Sequence, residues 1–403
     1  MIGAILLIFV LYFMTQPLLQ SLKRGKRWFS MNTMNNLFWY HMFFAAVYYI
    51  MTLTSRSDSV GYYLKPQYLS NWFEAYETGT KFIEFMAYPF INYLMFTYEM
   101  MMVLFAWIGY WGFVYFYIFF KENIKYKHTF QGYDLINVFI FLPNMHYWTA
   151  SLGKGAPIFL ALAMVTYGLS NLKLRKTALI LGLLLVYHVR PHIFLFMVIG
   201  IVVGLFTGKQ KVPFYQKFLV FAGSAVALVV MYDQIIGFVG LDGSNLLDSF
   251  DQFSNKRSFE LAKANSGIDT SNYPLLLKLF TFWFRPLFVD APGPVGLIVS
   301  FENLLYLYLA LKLFSGGFVK FMTKSSALVK TGAVVFLATS LALAETLSNM
   351  GIIIRQKSMV MYFLLFIIIS FMDYKKEIRV KRKQRVLELK KAREVEDLQL
   401  IQA

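Results

Sequence analysis

Met100-Met-Met-Val-Leu-Phe-Ala-Trp-Ile-Gly-Tyr-Trp-Gly-Phe-Val-Tyr-Phe-Tyr-Ile-Phe-Phe120 runs for twenty-one residues without a charge or a proline. At 1.5 Å per residue such a helix reaches about 31 Å, the thickness of a bilayer's hydrocarbon core. Stretches of the same character recur on both sides of it. The reading is an all-α, polytopic integral membrane protein, with spans expected over 1–20, 31–54, 98–120, 133–149, 156–172, 177–189, 193–206, 213–232, 294–313, 329–345 and 357–373. Composition agrees: 58% of the 403 residues are hydrophobic, 15% are charged and the mean hydropathy is +0.54, so lipid is the main solvent.

A formal charge of +17 raises the question of nucleic acid, but the cations lie between apolar stretches and form no continuous basic face. Their clusters, Lys23/Arg24/Lys26/Arg27, Lys121/Lys125/Lys127, Lys173/Arg175/Lys176, Lys209/Lys211 and Lys320/Lys324, fall on alternate loops. With eleven spans all of them become cytoplasmic, as the positive-inside bias requires, and the N-terminus is outside. The tail from Lys375 is basic and belongs inside, read as a helix along the anionic leaflet. The run Ile2 to Met14 has no small-residue cleavage site before Lys23 and reads as a retained first span.

The exterior then carries 55–95, 143–157, 190–192, a loop over 233–293 and 345–357. Short spans of about 13 residues reach only about 20 Å, so their connections sit below the membrane surface, where irregular backbone must line protein or water. The stretch 82–94, with Glu84 and Pro89, is too short to cross and reads as interfacial or re-entrant. The absence of cysteine excludes disulfides, thiolate metal sites and cysteine nucleophiles. No metal-ligand spacing is evident, so no metal and no other cofactor is expected.

Four exterior constellations carry candidate chemistry. Asp58, beside Arg56 and ahead of Gly61-Tyr62-Tyr63, offers a general base to a headgroup hydroxyl; a solvated charge pair is the plainer reading. Between Pro143 and Pro157, broken helix ends together with His146, Trp148 and Lys154 suit an anion, although the glycine spacing of a Walker loop is missing. Arg190-Pro191-His192 interrupts some thirty apolar residues, and a guanidinium at such depth fits phosphate oxygens, or else pairs with Glu302, Asp290 or Asp58. Phe284-Arg285-Pro286 precedes Glu302, which is either the counter-ion of Arg285 or an acid/base, and Arg355 adds a further exterior cation.

These stretches resemble the bacterial O-antigen and exopolysaccharide polymerases: Asp58 with Gly61-Tyr62-Tyr63, Pro143 to Trp148 running on to Gly153-Lys154, Arg190-Pro191-His192, and Phe284-Arg285-Pro286 ahead of Glu302. The resemblance covers most of the membrane region and leaves the tail uncovered. It implies a membrane glycosyltransferase domain over 1–373, with 374–403 as a cytoplasmic tail, in the bacterial inner membrane. A glycan on undecaprenyl pyrophosphate would be transferred to an incoming lipid-linked repeat unit, with a chain-length regulator and a flippase as partners. Arg190 and Arg285, supported by Lys154 and Arg355, would bind the pyrophosphate, with Arg56, His146 and Trp148 in the binding set. Asp58, then Glu302, then His192 would take the proton. A C-type transferase using a polyprenyl-phosphate sugar, or a lipid-glycan transporter, remains open on the same residues.

Overall fold

The computed structural model describes residues 1–209, 213–230, 267–268, 270 and 272–402. The described residues are about 80% helical, with almost no sheet, consistent with an all-α membrane protein. Among the described residues the α-helices are α1 (Ile2–Lys23), α2 (Met31–Thr54), α3 (Asp58–Leu64), α4 (Thr80–Tyr88), α5 (Tyr98–Asn123), α6 (Leu135–Ile140), α7 (Pro143–Thr149), α8 (Gly155–Ser170), α9 (Lys176–Val189), α10 (Pro191–Thr207), α11 (Phe214–Val230), α12 (Leu275–Phe284), α13 (Gly293–Leu311), α14 (Phe318–Lys324), α15 (Ala327–Thr346), α16 (Met350–Gln356) and α17 (Met361–Gln402).

Five of these are long and apolar enough to cross a membrane alone: α1, α2, α5, α13 with its extension to Phe314, and α15. A sixth is reached if α16 and α17, bent by 56° across Lys357, count as one span. Helices α8, α9, α10 and α12 are apolar but short, so an eleven-span count does not follow from helix length. The loop expected over 233–293 lies largely outside the described residues.

The stretch 133–149 is not one continuous helix. Tyr133–Asp134 pairs antiparallel with Thr129–Phe130, Asp134 caps α6, and the helix then stops at Phe141-Leu142. Pro143 has no N–H to donate and disfavours helix at the residue before it, so α7 starts afresh. The stretch after Gly79 is short as expected: α4 passes into a wide turn at Pro89–Tyr93. The tail is helical, but no break separates it from the last apolar helix, and a helix laid along a membrane surface needs such a turn.

Helix α5 is the centre of the bundle. It is buried on all sides, against α8, α2 and α1, which suits a helix hydrophobic all round. Around it the loops sort to two ends. At one end Tyr117 donates to the Trp28 carbonyl, Arg175 holds Glu122 through two bonds of 2.7 and 2.8 Å, the Lys209 N–H donates to Ser325, and Lys375 and Lys376 donate to Ser315 and Lys127. The basic clusters therefore share one end. The opposite end holds α3, α4, the 150–154 turn, Arg190 and α16.

Candidate functional site

At that opposite end, residues from five parts of the chain close around a cavity of about 1020 Å³. Arg56 comes from the link between α2 and α3, Asp58 from the start of α3, Lys154 from the turn before α8, Arg190 from the α9–α10 junction and Arg355 from α16. Lys65, Tyr62, Thr80 and Gln356 complete its polar wall.

Each side chain is aimed by local structure. Ser57 caps α3, accepting from the Ser59 N–H, and thereby sets Asp58 on the first turn. Arg190 occupies the cap between two helices because Pro191 starts α10. The α3–α4 region is latched over this junction: the Gly79 N–H donates to the His188 carbonyl at 2.7 Å, and Tyr76 meets the His188 ring at 3.0 Å. Gly79 has φ +78°, and a side chain there would point at Lys154 Nζ, 3.8 Å from the Cβ position. Asn349 caps α16 through the Ile352 N–H, which orients Arg355.

Arg355 donates to Asp58 at 3.1 Å, and Lys65 lies 3.4 Å from Glu84. Among the described residues, five cations and the Asp58 carboxylate line the cavity. Burial lifts the Tyr62 phenol above its usual range, against the opposing pull of Arg355 and Arg190. The phenol stays protonated and available as a donor.

A recess of about 170 Å³ shares Thr52, Ser55, Arg56, Ser57, Asp58 and Arg355 with the cavity and is floored by Tyr48, Tyr147 and Trp148. Trp148 stands edge-on to Tyr147 at 5.0 Å and lies 5.9 Å from the Arg355 guanidinium. Flat aromatic faces beside a cation suit a sugar bearing a phosphate.

Other residues singled out in the sequence lie elsewhere. Arg285 does not line the cavity. It donates to Asp290 at 2.5 Å, so Asp290 and not Glu302 is its counter-ion. Its carbonyl accepts from Lys357 at 2.6 Å, and the Pro286 carbonyl accepts from Asn303, ten residues into α13. Helix α12 enters beside the end of α15, through Lys278–Glu345 at 2.5 Å, and has dropped to Ser340 by Trp283. The Arg285–Pro286 turn therefore lies inside the bundle, against the middle of α13.

Glu302 is buried, accepting the Asn144 N–H at 2.5 Å and the Tyr306 hydroxyl at 3.3 Å. It caps the broken start of α7, which removes it as the base for a substrate in the cavity. His146 is fully buried between Phe113, stacked at 3.9 Å, and His41, whose Nδ1 is 2.8 Å away. It is a core histidine and not a ligand for sugar or phosphate. His192, the second residue of α10, is half-buried and outside the cavity wall.

Lys65, Tyr62, Thr80 and Gln356 were not singled out for chemistry. Tyr62 had a signal, since it stands in the Gly61-Tyr62-Tyr63 stretch. Lys357, next to Arg355 in sequence, is fully buried, donating to the Arg285 carbonyl and to Asn303 at 2.7 Å. Comparison with protein-family models, with curated proteins and with solved structures finds no match.

Proposed function

We propose that the protein is a membrane glycosyltransferase that polymerises undecaprenyl-pyrophosphate-linked oligosaccharide units at the exterior face of a bacterial inner membrane. The observation that carries this reading is the convergence of Arg56, Lys154, Arg190 and Arg355 with Asp58 in one cavity, opposite the basic loops. Its volume is at the upper end for small-molecule sites, which suits a headgroup carrying sugars better than a lone phosphate. The basic end faces the cytoplasm, and the chain passes between the ends eleven times, the short helices completing passes through irregular backbone inside the bundle.

In this reading the acceptor sugar's hydroxyl oxygen attacks the anomeric carbon of the donor glycan. The bond from that carbon to the pyrophosphate oxygen breaks, and its electron pair leaves with the lipid pyrophosphate. Lys154, Arg190 and Arg355 stabilise the charge that develops there, the largest catalytic contribution such a site offers. Asp58 accepts the hydroxyl proton, and Trp148 with Tyr48 stacks on the sugar. Compared with the residue set expected from sequence, Arg355 takes the place given to Arg285, and Glu302, His146 and His192 leave the set.

The test is direct. Purified full-length protein in detergent, given undecaprenyl-pyrophosphate oligosaccharide, is expected to release longer glycans and free undecaprenyl pyrophosphate. Sugar transfer only from a polyprenyl-monophosphate donor would make it a C-type transferase. Lipid-linked glycan moved across vesicles without any product would make it a transporter.

A further inference from the structure

We infer that the basic end of the bundle contains a built site for the phosphate headgroup of an acidic phospholipid. A cavity of about 660 Å³ there is lined by Lys127, Lys312, Lys375, Lys376, Arg379 and Lys383, with no carboxylate in its wall among the described residues. These cations come from three separate segments, and the segments are tied to one another before any ligand arrives. Lys375 donates to the Ser315 carbonyl and hydroxyl at 3.0 and 2.8 Å, and Lys376 donates to the Lys127 carbonyl at 2.9 Å.

The nearby acids have partners of their own. Asp373 accepts from the backbone N–H groups of Lys125 and Tyr126 and meets the His128 ring at 3.1 Å. Glu377 pairs with Lys381 at 2.8 Å and approaches Lys125 at 4.0 Å. Both carboxylates thus shape the 125–128 loop, and neither lines the cavity. Ordinary snorkelling lysines, by contrast, spread into water without a shared wall.

Phosphate chemistry alone would fit free phosphate as well as lipid, and the apolar surroundings decide for lipid. Phe371 and Met372 line the cavity at the level where α17 turns from apolar to charged. Next to Lys312 and Ser315, Leu311 and Phe314 are exposed, a surface for acyl chains. Several cations at one headgroup multiply a modest gain per charge.

The experiment titrates full-length protein in neutral detergent with phosphatidylglycerol, phosphatidylcholine or inorganic phosphate, reading the thermal unfolding midpoint. Phosphatidylglycerol is expected to raise the midpoint saturably, with phosphatidylcholine and inorganic phosphate ineffective. Arg379 and Lys383 are exposed, so Arg379→Gln/Lys383→Gln retains the fold, verified by its midpoint in phosphatidylcholine. Its apparent affinity for phosphatidylglycerol should fall about tenfold or more. Arg385→Gln/Lys390→Gln removes the same charge from the same helix outside the cavity and should behave as wild type. Equal losses in the two variants would reduce the site to diffuse tail charge, and a response to inorganic phosphate matching the lipid's would overturn the lipid assignment.

Discussion

At the residue scale, the two arginines that precede a proline have opposite fates. Arg190 opens onto the cavity, while Arg285 is spent on Asp290 and on holding a turn. Arg190→Ala should therefore lower glycan extension by roughly 10²-fold in a protein that stays folded and inserted. Arg285→Ala should destabilise the fold by about 2 kcal/mol, below the 3–5 kcal/mol of a fully buried broken pair because Arg285 and Asp290 keep partial exposure. Extension assays beside thermal unfolding in detergent separate the two, and a stable but inactive Arg285→Ala protein would contradict its structural role. Glu302→Ala leaves the Asn144 N–H without its acceptor, and a loss of about 1–3 kcal/mol is expected. Glu302→Gln keeps an acceptor oxygen and should preserve most of that stability as well as activity. Loss of activity in a stable Glu302→Gln protein would return the residue to the chemistry.

Elements explain why some of this was legible and some was not. Apolar length announced α1, α2, α5, α13 and α15, because a bilayer fixes how long a crossing helix must be. The same rule misread 133–149, where hydropathy stays high across a break made by Pro143. Asp58, Lys154, Arg190 and Arg355 stood out because ionisable groups near apolar segments are rare. Which carboxylate faced which group was only partly legible: Asp290 stands five residues from Arg285, whereas Asp58 meets Arg355 and Glu302 meets Asn144 only through folding. One packing signal was also present but not used: Gly200, Gly204 and Gly208 recur every four residues in α10 and its cap. They let α10 press against α15, and a Cβ on Gly204 would come 2.1 Å from Thr331 Oγ1 and 2.6 Å from the Ala327 carbonyl. Gly204→Ala should therefore lose about 1–2 kcal/mol of stability, although alanine is the better helix former. Gly223→Ala in α11, where nothing lies within 4 Å, should be neutral or stabilising. Equal melting behaviour of the two variants would show that α10 and α15 do not pack this closely.

At the scale of the whole molecule, the functional proposal depends on which end of the bundle meets the cell exterior. The chain lacks cysteine, so single introduced thiols report their side without background. Tyr68 and Leu174 are 84% and 83% exposed, the first at the cavity end and the second among the basic loops. A membrane-impermeant maleimide on intact spheroplasts should label Tyr68→Cys at once and Leu174→Cys only after permeabilisation. The termini test the number of passes by the same chemistry. Gly3 packs on Met100 near the start of α5, which puts Met1 at the cavity end, whereas Leu387 lies on the tail beyond the basic cavity. Odd parity requires Ile2→Cys to label from outside and Leu387→Cys from inside. Labelling of Tyr68→Cys from the cytoplasmic side alone would place the cavity where nucleotide-activated sugars are found, and the lipid-linked donor would lose its physical basis. Labelling of both termini on one side would leave an even number of passes, so one of the eleven would not cross, the broken stretch 133–149 being the first candidate.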